Sequence, residues 1–157
     1  MQLNKYTDYS FRVMILLGAD QERLFTVNEL SGLYDISKNH LVKVVHRLGK
    51  LGYIKTIPGK NGGIRLGMKP KDIKVLDVMK AMESNFFIAE CFQSADLCRI
   101  APVCNLKNVL YEALKGFEKV IAKYTLQDLI KNKEKDLLSI VSKPVSKKKS
   151  SKRNLLT

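Results

Sequence analysis

Apolar residues recur at intervals of three and four in the first part of the chain, a spacing that predicts short amphipathic helices. A first helix would be capped by Thr7-Asp8 and end near Gly18. A second would begin at Thr26-Val27-Asn28-Glu29, which fits a capping box. In that motif the Thr hydroxyl accepts from the third helical N–H while the Glu side chain reaches back to the cap.

A third predicted helix has the sharpest division between apolar and polar faces. Ser37 can cap it, and Gly52 follows its end near Leu51, where a helix C-terminus prefers glycine. The apolar face consists of Leu41, Val44, Val45, Leu48 and Leu51. The polar face consists of Lys38, Asn39, His40, Lys43, Arg47 and Lys50. The pattern predicts one buried face and one basic, exposed face.

A short hairpin is predicted after the third helix. Residues 53–57 alternate as a strand does, residues 58–63 are rich in turn-forming Gly and Pro, and residues 64–66 supply the returning strand. Helix, turn, helix and hairpin in this order are typical of a winged helix-turn-helix. We therefore predict a mainly α fold in which residues 1–70 form a winged helix-turn-helix DNA-binding domain with a small β-hairpin wing.

Residues 71–102 are predicted to form a linker helix and a loop. The helix would run from about Val75 to Glu83, after Pro70. Residues 84–102 show no clear periodicity, so no regular element is predicted there.

An apolar stripe at coiled-coil spacing begins at Val103. It consists of Val103, Leu106, Leu110, Ala113, Phe117, Val120 and Tyr124. A stripe of this kind predicts a long C-terminal dimerisation helix, followed by a short amphipathic helix from Thr125, over residues 103–141. Residues 142–157 are dominated by Ser and Lys and are predicted to be a basic disordered tail.

The net charge of +13 favours a polyanionic partner. Six of the 28 Lys and Arg residues lie after residue 142, where there is no acid, so 22 bases and 15 acids remain before it. The folded part is therefore basic without the tail. No signal peptide is recognised and no apolar run is long enough to span a membrane, so a cytoplasmic protein with unlikely disulfides is expected.

Two basic segments are candidates for contact with double-stranded DNA. A helix fits the major groove and reaches base edges with its N-terminal residues. The third helix offers Ser37, Lys38, Asn39, His40, Lys43 and Arg47. The hairpin offers Lys60, Asn61 and Arg65. An ordinary charged helix face and a purely structural hairpin are the alternative, but the combined order of capping box, basic helix and basic wing favours DNA binding.

Three cysteines, Cys91, Cys98 and Cys104, lie within 14 residues. Their spacing lacks the short pairs of structural zinc sites and the usual ferredoxin pattern, and free cysteines are often simply small buried residues. The clustering nevertheless favours metal or redox chemistry, because the last cysteine would stand at the start of the long helix, where thiolate is stabilised. Three thiolates still need a fourth ligand: Asp, Glu, His or water.

The sequence resembles the nitrite-sensitive, nitric-oxide-sensing repressors within the larger family of iron–sulfur winged-helix regulators. The resemblance runs from Met1 to about Ile140 and includes the three cysteines. The other segments that carry it are Gln2-Leu3, Thr7-Asp8-Tyr9, Asn39-His40-Leu41-Val42-Lys43, Gly59-Lys60-Asn61-Gly62-Gly63-Ile64-Arg65-Leu66-Gly67 and Tyr124-Thr125-Leu126-x-Asp128-Leu129.

This resemblance implies a homodimer crossed through the long helix. It further implies that Cys91, Cys98 and Cys104 bind an iron–sulfur cluster, two-iron (2Fe-2S) or four-iron (4Fe-4S), and that Asp8 of the other subunit is the fourth ligand. Considered without the family, Asp8 would be an acid that complements the helix dipole. The sister family that regulates cluster assembly carries a histidine where this chain has Lys107, which favours the nitric-oxide branch.

The expected function is that of a dimeric repressor on a palindromic operator, with half-sites about 34 Å apart. Nitrosylation of the cluster would release the DNA and allow nitric-oxide stress genes to be expressed. A regulator of iron–sulfur or iron supply, a metal-free thiol sensor and an electron carrier are the alternatives. An enzyme is not expected, because no nucleophile–base pair, phosphate loop or nucleotide-binding motif is recognised.

Overall fold

The computed structural model describes residues 3–83 and 87–142. Within these ranges the chain forms seven α-helices and one antiparallel hairpin. The helices are α1 (Lys5–Ala19), α2 (Val27–Tyr34), α3 (Lys38–Lys50), α4 (Val75–Met82), α5 (Asn105–Ile121), α6 (Leu126–Ile130) and α7 (Glu134–Ser142). The strands are β1 (Ile54–Ile57) and β2 (Gly63–Leu66). The prediction of a mainly α winged helix-turn-helix is confirmed.

The first helix begins earlier than its predicted cap at Thr7-Asp8. Asn4 is the cap, and its side-chain oxygen accepts from the backbone N–H of Thr7 at 2.8 Å. Thr7 is instead fully buried within the helix. The amide of Asn4 also reaches the end of α4, a contact between residues distant in sequence, and this helps to fix Asn4 as the cap.

The predicted caps of the helix-turn-helix are confirmed. Thr26 and Glu29 form the reciprocal capping box of α2, and the Ser37 hydroxyl accepts from the N–H of His40 at the start of α3. Gly52 follows α3 with a φ of 80°, a left-handed conformation that favours glycine. The apolar face of α3 is buried in the core along Leu41, Val44, Val45 and Leu48. Leu51, which was predicted to belong to this face, is 43% exposed, because the helix ends at Lys50 and Leu51 follows it as the C-cap.

The wing is a two-stranded hairpin in which Ile54 pairs with Leu66 and Ile57 pairs with Gly63. Ile64 of β2 also pairs with Phe25, so the chain just before α2 lies beside the hairpin. Ile54, Ile64 and Phe25 are all buried. The hairpin is thereby anchored to the helical core at its base.

The C-terminal part departs from the prediction in two places. The long helix begins at Asn105, after a single 3-10 turn over Ala101–Val103, so Cys104 precedes the helix as its cap residue. The single short helix predicted from Thr125 is two helices, because the chain turns after α6, where Asn132 has a φ of 62°.

Helix α6 returns to the winged-helix core. Thr125 and Asp128 form its capping box, and the N–H of Leu126 donates to the carbonyl of Ile73. Leu126 and Ile130 are buried, and their side chains approach Gly18 of α1. The core therefore crosses the predicted boundary at residue 70.

The predicted disordered tail lies outside the described residues, apart from Ser142 at the end of α7. None of the helices in the described part of the chain combines the length and apolar character needed to cross a bilayer.

Candidate nucleic-acid interface and cysteine segment

The polar face of α3 is exposed along its whole length. Ser37, Lys38, Asn39, His40 and Lys43 are all exposed, as predicted from the sequence. No acidic residue lies in the first turn of α3, and Lys38 occupies its first position. A lysine at a helix N-terminus opposes the helix dipole, whereas an anion there would be stabilised. This end of α3 therefore favours contact with phosphate or with the acceptor edges of bases.

The wing tip presents the predicted cationic side chains. Lys60, Asn61 and Arg65 are exposed, while Ile64 between them is buried. A Cβ atom on Gly62 would lie 2.1 Å from the carbonyl oxygen of Ile57, which shows that the backbone of the tip is closely packed. The hairpin thus supplies a second basic surface beyond the C-terminal end of α3.

Arg47, predicted to face DNA, has a partner within the protein. Its Nε and Nη2 atoms donate to the carbonyl oxygen of Ala81 at 3.2 and 2.6 Å. Ala81 lies in the last turn of α4, where carbonyl groups lack helical partners. The guanidinium therefore connects α3 to α4, and its predicted DNA contact remains a prediction.

The first turns of α1 contact the start of α3. The ring of His40 lies 6.1 Å from that of Tyr6, edge to face, and 6.3 Å from that of Tyr9. The Nδ1 atom of His40 lies 3.1 Å from the Ser37 hydroxyl. A displacement of the N-terminus of α1 would therefore alter the contacts of His40 in the first turn of α3.

Asp8 is paired within its own chain. Its carboxylate lies 2.7 Å from Nη2 of Arg12, one turn further along α1. This hydrogen bond raises the pKa of Arg12 above its ordinary value. The Tyr34 hydroxyl donates to the carbonyl of Arg12 at 2.8 Å, and burial raises the pKa of Tyr34 to about 12. At neutral pH, Arg12 therefore stays protonated and positively charged, and Tyr34 stays protonated and neutral.

The three cysteines are partly buried thiols without a disulfide among them. Cys91 lies in a 3-10 turn whose Phe92 stacks on Tyr111 of α5, with ring centroids 6.4 Å apart. Cys98 and Cys104 flank the turn that leads into α5. In the described ranges, the structure brings no three Cys, His, Asp or Glu side chains together as a metal site. Thiolate sulfur is a donor that suits a soft iron–sulfur cluster. To bind one cluster together, the three cysteine thiols would have to converge on a single site.

Helix α5 exposes much of its predicted apolar stripe. None of its residues is buried, and Leu106 and Val120 of the stripe, with Val109 beside it, have between 51% and 62% of their surface exposed. Val103, just before the helix, is 83% exposed. The neighbouring polar edge is tied to its own domain by the ion pair between Lys80 and Glu118 at 2.9 Å. An apolar face of this kind is typical of a helix that pairs with another.

Comparison with known proteins identifies the family. The profile of Rrf2, described as an iron-dependent transcriptional regulator, matches residues 3–132. The chain belongs to the Rrf2 family. This Rrf2 protein is 51% identical over 143 residues to the HTH-type transcriptional regulator NsrR of Bacillus subtilis (strain 168), with 90% of this chain and 97% of the relative covered. The NsrR of Shouchella clausii is 45% identical over 143 residues, with coverages of 90% and 95%.

Solved structures of Rrf2-like regulators share the fold. CymR (YrzC), the global cysteine regulator of B. subtilis, superposes with a TM-score of 0.67 at 22% identity, covering 82% of this chain and 95% of that one. IscR of T. potens superposes with a TM-score of 0.66 at 24% identity, covering 87% and 90%. Family membership and the winged-helix fold together make this Rrf2 protein a DNA-binding transcriptional regulator.

Two features of the site could not be found from the sequence pattern. The acceptor of Arg47 and the aromatic partners of His40 depend on how α1, α3 and α4 pack. The pairing of Asp8 with Arg12 had a local signal, because residues four apart on a helix are neighbours.

Proposed function

We propose that this Rrf2 regulator is a homodimeric repressor that senses nitric oxide through an iron–sulfur cluster and releases its operator in response. The observation that carries the DNA-binding part is the basic, acid-free start of α3 together with the exposed basic wing. The sensing part is supported by the free thiols of Cys91, Cys98 and Cys104 and by the resemblance to nitric-oxide-sensing repressors.

In the proposed complex each α3 enters a major groove of a palindromic operator. Lys38 and Lys43 bind phosphate or guanine, and Asn39 is suited to adenine. Lys60 and Arg65 of the wing bind the backbone or the minor groove beside it. His40 is held by Ser37 and by the aromatic rings of α1, so it orients the start of the helix as well as lying at its exposed face.

The proposed cluster site uses Cys91, Cys98 and Cys104 of one protomer and Asp8 of the other. When bound, an iron–sulfur cluster supplies iron that reacts with nitric oxide. The thiolates hold the segment before α5 in one conformation, and Asp8 must leave Arg12 to act as a ligand. As a ligand, Asp8 would supply an oxygen donor, which binds a soft metal centre more weakly than a thiolate does.

Coupling to DNA follows from the contacts of α1. A protomer whose Asp8 is held across the dimer has its first helix fixed, and Tyr6 and Tyr9 of that helix contact His40 on α3. Release of Asp8 frees α1 and alters the placement of the two α3 helices. A bound cluster would favour the DNA-binding arrangement of the two α3 helices only if it bound that arrangement more tightly than the arrangement that does not bind the operator.

Anaerobic purification tests the proposal directly. We expect iron and sulfide in the isolated dimer, a visible absorption spectrum, and operator binding that is lost after nitric oxide. Cys98→Ala is expected to give a folded dimer without the cluster, while the exposed neighbour Gln93→Ala retains it. If metal-free protein bound the operator specifically and nitric oxide did not change this binding, the sensing part of the proposal would be refuted. The DNA-binding part would stand.

A regulator of iron–sulfur or iron supply is the second candidate, and it is favoured by the iron-dependent description of the family. The two differ in what the loaded protein responds to. Rapid loss of operator binding at stoichiometric nitric oxide favours the sensor, whereas a response only to cluster supply favours the second candidate. A stable, redox-active cluster without specific DNA binding would instead indicate an electron carrier.

A further inference from the structure

The C-terminal end of α4 is a junction of three elements. The carbonyl of Ala81 accepts from the guanidinium of Arg47 on α3. The carbonyl of Met82 accepts from the side-chain amide of Asn4 at 3.2 Å. The backbone and side-chain N–H groups of Asn4 also donate to the carboxylate of Glu83 at 2.8 and 2.6 Å.

These contacts follow from the electrostatics of a helix end. The last carbonyls of a helix have no helical donors and carry partial negative charge, so they favour a cation. The lysine in the last turn of α4, Lys80, is paired with Glu118 of α5 instead. Arg47 of α3 supplies a cation to this end, with two donors on one oxygen.

The link from Arg47 bridges a gap between the elements. An open depression of about 380 Å³ on the surface is lined by Asn4, Tyr6, Lys43, Arg47 and Met82, which come from the same three parts of the fold. Apolar packing therefore does not fill this junction. The relative placement of α3 and α4 here depends on polar contacts with a defined direction.

Along the chain, the junction lies between α3 and the cysteines. Glu83 follows α4 directly, and Cys91 comes eight residues later in the sequence. Arg47 belongs to the last turn of α3, while His40 at its first turn contacts α1. Each end of α3 thus has a defined contact with a neighbouring helix, with α1 at its first turn and with α4 at its last.

We propose that Arg47 is a positioning residue that couples the cysteine segment to α3, and that it acts through Ala81 rather than through DNA phosphate. The cluster-dependent part of this proposal rests on the proposed function. Residues 87–104 contact α5 through the stack of Phe92 on Tyr111, and Glu118 of α5 pairs with Lys80 of α4. A change in the cysteine segment therefore reaches α4, the guanidinium of Arg47 and the tilt of α3. Lys43, one turn earlier on the exposed face, serves as the direct DNA contact for comparison.

The test compares Arg47→Gln with Lys43→Gln, each with and without the cluster, over a range of salt concentrations. Arg47→Gln is expected to reduce the ratio of operator affinities between loaded and cluster-free protein by about 5-fold or more, the usual lower limit of allosteric coupling. The slope of log affinity against log salt should stay at the wild-type value. Arg47→Lys, which keeps a cationic donor, should restore part of the ratio.

Lys43→Gln is expected to weaken both forms alike and to lower the salt slope by about 0.9, the effect of one lost phosphate contact. The same result for Arg47→Gln, with the ratio unchanged, would overturn the proposal and make Arg47 a phosphate contact.

Amide hydrogen exchange on cluster-free protein separates this proposal from the proposed function. Arg47→Gln is expected to speed exchange at the end of α4 and in residues 87–104, while Lys43→Gln does not. Unchanged exchange there would overturn the role of Arg47. If the wild-type protein bound the operator equally well with and without the cluster, the proposed function would be refuted. The hydrogen-exchange result would then still decide whether Arg47 positions the end of α4.

Discussion

Asp8 and Arg12 form an ion pair on the surface of α1, with side chains that are 44% and 46% exposed. Exposed pairs of this spacing stabilise a helix by only about 0.3–0.5 kcal/mol. The carboxylate can therefore exchange Arg12 for another partner at little cost. This weak pairing is what the proposed ligand role requires of Asp8.

Replacing Asp8 by alanine tests that role. For Asp8→Ala, we expect the free energy of unfolding of cluster-free protein to change by less than about 0.5 kcal/mol, because only the surface pair is lost. Cluster stability or its rate of reaction with nitric oxide should change, measured by the decay of visible absorbance. Glu22→Ala, at an exposed acid outside the helices, is the control. If Asp8→Ala matches the control, Asp8 is only the partner of Arg12.

At the scale of elements, the wing depends on close backbone packing. A Cβ atom at Gly62 would meet the carbonyl oxygen of Ile57 at 2.1 Å and the carbonyl carbon of Pro58 at 2.8 Å. Both are backbone atoms, so the turn itself must shift to accommodate a larger residue. The glycine is therefore needed for space at this position.

Gly62→Ala is expected to lower the free energy of unfolding by about 1–3 kcal/mol, as overpacking does. Gly32→Ala is the control, because Gly32 lies in α2, is exposed and has open space where a Cβ would stand. That substitution should stabilise by about 0.5–1 kcal/mol through helix propensity. Chemical denaturation measures the free energy of unfolding of both variants. If Gly62→Ala were as stable as Gly32→Ala, the turn would relax freely around the added methyl group.

The wing also makes a prediction about DNA. Replacing Lys60 and Arg65 together by alanine should weaken operator binding and lower the slope of log affinity against log salt by about 1.8, because two phosphate contacts are lost. The exposed Lys131 and Lys135 near the C-terminal helices, replaced in the same way, form the control pair. Titrations at several salt concentrations measure the slopes. An unaltered slope in the wing variant would mean that the wing stays off the DNA.

At the scale of the whole molecule, α5 has an apolar face that its own chain leaves exposed. Val120 is 51% exposed, and Leu106 and Val109 are exposed on the same side of the helix. Burying this face against a second copy would remove apolar surface from water, which favours association. The proposed dimer would use this face.

Val120→Glu is expected to convert the dimer to monomers at micromolar concentration, because it places an unpaired charge in the paired face. Asn108→Glu adds the same charge on the opposite, exposed side of α5 and should leave the dimer intact. Sedimentation velocity distinguishes the two states. A dimeric Val120→Glu protein with wild-type affinity would exclude this face from the interface.

The sequence alone determined the helix-turn-helix and the wing. Capping residues, apolar periodicity and turn glycines act over a few neighbouring positions, so Thr26, Ser37 and Gly52 mark their elements without knowledge of the rest. The exposure of Lys38 and Lys43 follows for the same reason, since the apolar face of α3 must turn inward. These features depend on local geometry.

Tertiary structure decided the contacts that join these elements. Asn4 became the cap of α1 while also binding the end of α4, and Arg47 turned to Ala81, because packing brought residues tens of positions apart within hydrogen-bonding distance. The split of the C-terminal segment into α6 and α7 likewise accompanies the packing of Leu126 and Ile130 against α1. Such partners are set by the arrangement of helices in space, which no local pattern specifies.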